Sequence, residues 1–296
     1  MTGGRHAPPL AAEFTTDSSR DTDRVKRLPL WQAGAWVLLA AVTAQLVAGF
    51  ASAIARTWLA GHGASGPAIA GSSAVLVFAM LASSLSLIAV ACFAAALSGL
   101  PLREVLGLRT APAACYAAAA IGTVMLGPAA DVMMRAMQAV LPGASLGIVP
   151  MLHDLVRRIP LAVAWPVFAL LPGVAEELLF RGLLQNAAPP GARAIALSGI
   201  AFALFHVDPH HVAGVLPLGL FLAWVAARCG TLVTIAAHVA NNTAAIAAVH
   251  SSTFDVGYGT EQPMPWPWLP AGLFCALGAA WVIARSTPRQ ARFDLA

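Results

Sequence analysis

Apolar residues run along this chain in blocks far longer than a globular core helix needs, and polar residues are confined to the gaps between them. Crossing about 30 Å of hydrocarbon takes roughly 20 residues at about 1.5 Å each. Runs of that length recur near 31–55, 68–98, 111–130, 160–186, 192–207, 212–228, 231–249 and 266–284. The pattern predicts an all-α polytopic membrane protein with about eight transmembrane helices. The fifth and sixth runs are short and are parted only by the polar turn from Val207 to His211. A longer polar stretch, 131–159, is expected to hold an interfacial segment around His153, Asp154, Arg157 and Arg158. The organisation is read as a flexible polar tail over 1–30, a membrane domain over 31–285 and a short basic tail over 286–296. No internal repeat is visible.

Composition sharpens this picture. Hydrophobic residues make up 59% of the chain and charged residues 10%, against about 25% charged in soluble domains. An ordinary soluble enzyme, a disordered chain and a nucleic-acid-binding module are excluded. The net charge of +4 comes from Lys and Arg scattered over the whole length, with no basic stripe. They read as loop charges beside membrane spans. Threading the spans alternately collects Arg20, Arg24, Lys26, Arg27, Arg103, Arg109, Arg193, Arg228, Arg285, Arg289 and Arg292 on one side. By the positive-inside rule both termini are then cytoplasmic, with Arg157 and Arg158 counting against it. The alanine-rich composition looks bacterial, and the expected location is a bacterial inner (cytoplasmic) membrane. Cys92, Cys115, Cys229 and Cys275 lie far apart and form no CxxC pair, so neither a disulfide framework nor a thiolate metal site is expected.

The candidate chemistry lies where polar groups interrupt apolar runs, because a charge at mid-bilayer costs about 2.5 to 3.5 kcal/mol on insertion scales. The fourth run contains Glu176, Glu177 and Arg181. Glu177 and Arg181 are four apart and share a helix face, with the acid toward the N-terminus. Glu176 points about 100° away and is left without that partner, which suits it to act as a general base. Pro172 and Gly173, just before the pair, favour a kink. The fifth run ends Phe202-Ala-Leu-Phe-His206, and the seventh carries His238-Val-Ala-Asn-Asn242. His238 and Asn242 share a face, with Asn241 close by, so spacing alone does not choose between the asparagines. Counted from their turns, Glu176 lies about 20 Å deep, His206 about 22 Å, His238 about 12 Å and Asn242 about 18 Å, so all four fit one cavity. His210 and His211 are read as a solvated loop, and Asp208 as a cap for the helix that follows.

The three motifs, Glu-Glu-x-x-x-Arg, Phe-x-x-x-His and His-x-x-x-Asn in that order on separate spans, resemble the CAAX protease and bacteriocin-processing (CPBP, or Abi) family, which includes the type II CAAX prenyl endopeptidases. The resemblance covers about residues 160–250. It implies an intramembrane endopeptidase acting on a membrane-associated peptide or protein substrate, with Glu176 as the base that activates water and His206 helping to position it. His238 and Asn242 are then expected to stabilise the oxyanion, while Glu177 and Arg181 hold the site together. Glu with two His is also a conceivable zinc site. The chain lacks the HExxH pattern, so a metal-free glutamic mechanism is favoured over zinc. Two rivals stand beside this reading: a proton- or cation-coupled transporter, and a non-catalytic immunity or binding member of the same family.

Overall fold

A computed structural model describes residues 27–251, 257, 260 and 262–287. The tails read at the two ends of the sequence lie largely outside the described residues. Ten helices carry the architecture among the described residues: α1 (Leu30–Gly61), α2 (Ser73–Leu97), α3 (Ala113–Met125), α4 (Gly127–Val140), α5 (Ile148–Arg158), α6 (Leu161–Gln185), α7 (Ala192–Leu204), α8 (Pro209–Cys229), α9 (Thr231–His250) and α10 (Trp268–Ser286). Short helical turns at Gly66–Ala70 and Leu102–Val105 complete the connections, and no strand is present among these residues.

Seven helices or joined helix pairs are long and apolar enough to cross a membrane. The protein is an all-α polytopic integral membrane protein. The expected fifth span is different: α7 has 13 residues, about 20 Å, too short to cross about 30 Å unaided. Its helix stops because the chain turns at Val207 and Pro209 opens the next one. The expected polar stretch at 131–159 also needs correction. Residues from Asp131 to Val140 continue α3 as α4, and only the last third of the stretch forms the separate amphipathic helix α5. Asp131 can sit in a spanning helix because Arg135, one turn on, lies 3.0 Å from its carboxylate.

Three apolar clusters form the interior. One joins α1 and α2 to α6 and Phe202, a second joins α3, α8, α9 and α10, and a third joins α5 to the start of α6 and Ile246. At one end of the bundle the connections are tied together. Arg27 donates to the Ala188 carbonyl, Arg109 to the Ala226 carbonyl, and Thr231 N–H to the Gly107 carbonyl. These are segments that the charge count assigns to a single face. The four cysteines are free.

The helix α6 is wound unevenly. Trp165–Leu170 and Leu178–Gln185 are π-helical, and the α-helical turns Leu171–Glu177 lie between them. Pro172 accounts for the first widening, since it has no N–H for the Phe168 carbonyl and its ring crowds that oxygen. The expected kink is therefore a change of winding. Gly173 has a separate role. A Cβ there would come within 2.7 Å of Val239 Cγ2 and 3.2 Å of the Val239 nitrogen. Only a residue without a side chain lets α9 lie this close to α6, and that approach carries the neighbour of Val239, His238, up to the glutamates.

Candidate active site

Of the polar residues singled out from the sequence, Glu176, Glu177, Arg181 and His238 meet at the seam between the first two apolar clusters. Ala175 and Leu178, on either side of the glutamates, belong to the first, and Ala237, next to His238, belongs to the second. Glu177 and Arg181 are fully buried, with Arg181 Nη1 3.3 Å from Glu177 Oε1. The same Oε1 lies 2.9 Å from His238 Nδ1. A carboxylate held by a guanidinium can only accept, so His238 Nδ1 carries the proton it donates. That leaves Nε2 facing Glu176, 3.9 Å from Oε2. Glu176 is thus not isolated: His238 stands between the two acids, fixed by one and turned toward the other. Among the four groups Glu176 is the most open, with 14% of its side chain exposed.

The depth estimate had put Glu176 and His238 about 8 Å apart along the bilayer normal. The discrepancy has a simple origin. The helix α6 ends at Gln185, four residues before Pro189, so Glu176 is nine residues from the helix end and His238 seven from the start of α9. Those lengths correspond to about 13 and 10 Å.

The motif phenylalanine organises the rest. Arg181 Cζ lies 4.3 Å from the centroid of the Phe202 ring, a cation–π contact between two buried side chains. The same ring stands edge-on to His206 at 5.1 Å and to His238 at 5.6 Å. His206 Nδ1 donates to the Phe202 carbonyl at 3.0 Å, because a carbonyl cannot donate. His206 is half-buried and shares the Phe202 ring with His238. Asn242 lies one turn beyond His238 on the same face of α9 and accepts from Asn241 Nδ2 at 3.3 Å. Both asparagines are half-buried.

Several supporting residues escaped the sequence reading. Arg181 Nη2 donates to the Gly219 carbonyl at 3.0 Å, and Gln185 Nε2 donates to the Ala223 carbonyl at 2.8 Å. Two side chains one turn apart on α6 therefore grip two carbonyls one turn apart on α8. A Cβ at Gly219 would fall 2.8 Å from the Gly199 carbonyl oxygen, so the glycines also set the spacing of α7 and α8. A polar residue four after Arg181 was a usable signal for Gln185, but its partners are backbone atoms and leave no trace in residue type. The solvated-loop reading of His210 and His211 is overturned. His210 is buried and donates from Nε2 to the Leu141 carbonyl at 2.8 Å, and His211 packs edge-on against His206 at 4.5 Å between centroids. The loop over 141–147 packs against the buried side of this turn, bonding Asp208 and His210. Asp208 caps α8 as expected, accepting from His210 N–H and His211 N–H. Among the described residues no three His, Cys, Asp or Glu side chains are grouped so as to hold a metal ion.

A multi-helix membrane protein whose paired acids, arginine and histidine meet inside the helix bundle is the class that fold and site define. Residues 158–244 match the family model described as type II CAAX prenyl endopeptidase, Rce1-like, so this segment is similar to the CAAX protease family, a family of peptidases. The matched segment contains Glu176, Glu177, Arg181, His206, His238 and Asn242. No curated protein and no solved structure shows significant similarity to the chain.

Proposed function

We propose that the chain is an intramembrane endopeptidase that hydrolyses a peptide bond of a membrane-associated substrate, of CAAX type or a peptide undergoing processing, in a bacterial cytoplasmic membrane with both termini cytoplasmic. The observation that carries the reading is the bridge made by His238: Nδ1 on Glu177 and Nε2 toward Glu176. A separation of 3.9 Å is too long for a direct hydrogen bond and suits a shared water. Glu176 takes the proton of that water as it attacks the scissile carbonyl and returns it to the amide nitrogen as the C–N bond breaks and the amine leaves. Two carboxylates and one guanidinium leave one negative charge, which His238 neutralises in its protonated form. Its Nε2–H, with the Asn242 amide, then donates to the developing oxyanion. Glu177 and Arg181 fix the imidazole, and His206 helps to position the water. No metal takes part in this scheme.

The test is cleavage in proteoliposomes, read by mass spectrometry, on prenylated and unprenylated C-terminal peptides and on precursor peptides. Glu176→Gln is expected to lower turnover by about 10²- to 10⁴-fold, the range for a lost general base, with insertion and thermal stability unchanged. Activity within a few-fold of wild type removes Glu176 from the base role. Purified protein is expected to carry well under one equivalent of zinc and to survive a chelator. Stoichiometric zinc, lost and regained together with activity, overturns the glutamic mechanism. Ion flux through liposomes without any cleavage favours the transport reading.

A further inference from the structure

The turn that carries His206 is held in an unusual way. Val207 has φ +62°, a left-handed conformation that β-branched side chains avoid because Cβ crowds the backbone. Its side chain is 64% exposed, so packing does not explain why this residue adopts it. The conformation closes a three-residue turn in which Asp208 N–H donates to the His206 carbonyl at 2.6 Å. Such turns are rare and persist only when their surroundings over-determine them.

The surroundings do so through one carboxylate. Asp208 is buried, with 1% of its surface exposed. Its Oδ1 accepts from His210 N–H at 2.9 Å and His211 N–H at 3.3 Å, at the start of α8. Its Oδ2 accepts from Leu146 N–H at 2.8 Å and the Ser145 hydroxyl at 3.3 Å, in the connection between α4 and α5. The same connection accepts from His210 through Leu141. Burial alone raises the Asp208 carboxyl, but these donors outweigh it and hold the group below the usual carboxylate range. The carboxylate therefore pins three things at once: the strained turn, the first turn of α8 with His211 against His206, and the 141–147 loop above them.

We propose that Asp208 is a positioning residue for His206: its carboxylate holds the Val207 turn so that His206 stays against Phe202 and His211 with Nδ1 on the Phe202 carbonyl, and it ties that geometry to the α4–α5 connection. The role in turnover rests on the proposed function; the role in fixing the ring does not.

The experiment uses the full chain in detergent, labelled with ¹⁵N in the histidine rings, His206 being assigned by its loss in His206→Gln. In wild type the His206 ring is expected as a single Nδ1–H tautomer. Asp208→Ala is expected to broaden or average that signal. In proteoliposomes the same variant is expected to lose on the order of 10- to 100-fold in kcat, as a misplaced group does, with KM within about twofold. Asp208→Asn keeps an acceptor for His210 and His211 but turns a donor toward Leu146, so it is expected to fall between the two. It decides the matter if the alanine variant does not fold. An unchanged His206 signal in both variants, or kcat within twofold of wild type in both, overturns the proposal. If the wild-type chain cleaves no peptide, the proposed function fails, and the ring signal alone then supports or overturns the positioning role.

Discussion

Two acid–arginine ion pairs among the described residues, Glu177–Arg181 in α6 and Asp131–Arg135 in α4, share the same i,i+4 spacing and differ in almost everything else. The first is wholly buried, and what faces it is ionisable: His238 at 2.9 Å from Glu177, with Glu176 beyond the ring. The second is buried at its acid, with 2% exposed, and open at its arginine, with 25%. The partners described for it beyond the pair itself are backbone groups. Asp131 Oδ2 accepts from Met264 N–H at 3.0 Å, and Arg135 Nη2 donates to the carbonyls of Gly257, Thr260 and Gln262 at 3.4, 3.1 and 2.8 Å. Backbone amides do not ionise at neutral pH, and through these bonds the second pair clamps the segment between α9 and α10. A buried pair turned toward a histidine and a further carboxylate has somewhere to send a proton. The i,i+4 ion pair is a structural unit in both places, and only its neighbours make one of them a candidate for chemistry.

Breaking the α6 pair has the largest expected effect. Arg181→Ala leaves Glu177 as an uncompensated buried charge, at a cost of roughly 3 to 5 kcal/mol, and it also removes the bond to the Gly219 carbonyl. Poor accumulation, a lowered unfolding temperature and lost cleavage are expected together, and normal yield and melting would show that water reaches the pair. Glu177→Leu combined with Arg181→Met sharpens the point. With both charges gone stability is expected to recover, as apolar replacements of buried pairs often do, while activity stays absent because His238 Nδ1 has lost its acceptor. Recovery of activity in the double variant would make the pair mere scaffolding.

Next in size is Gly173→Ala. The new Cβ must push α9 away from α6, with an overpacking cost of about 1 to 3 kcal/mol. Because the displaced helix carries His238, the loss in kcat is expected to exceed what stability alone accounts for. Equal losses at a temperature where wild type and variant are both fully folded would contradict a role for this contact in setting the site. Smallest is Arg135→Ala, expected to cost about 1.5 kcal/mol, the low end for charge-assisted hydrogen bonds, because its side chain is a quarter exposed, so its removal opens Asp131 to water, and Asp131 keeps the Met264 N–H. Thermal denaturation should register the change while kcat stays within twofold. A tenfold fall in kcat would erase the distinction between the two pairs.

The two pairs also show how far residue order reaches. In α6 the apolar run around Glu177 made an acid four before an arginine conspicuous, since lipid has no water to solvate either group. In α4 the same spacing went unremarked because the polar residues nearby suggested an interfacial stretch, and only the packed loop supplied the partners that make Asp131 tolerable inside a helix. His210 and His211 failed for the same reason. Their neighbours Asp208 and Pro209 signal a turn, and turns are usually solvated, but this one lies under the connection over 141–147.

Hydrophobic run length determined the class of this protein, an all-α membrane bundle, because a bilayer forces about 20 apolar residues per crossing whatever the partners are. The periodicity of a helix determined that Glu177 faces Arg181 and that His238 shares a side with Asn242, since 3.6 residues per turn is a local rule. Tertiary structure alone decided that His238 stands between the two glutamates, that Gly173 admits α9, that Arg181 and Gln185 hold backbone carbonyls of α8, and that Asp208 pins the turn carrying His206. The last three depend on atoms common to every residue, or on a missing Cβ, meeting a side chain far away in the chain. Such contacts have no residue-type signature and exist only once the helices are packed.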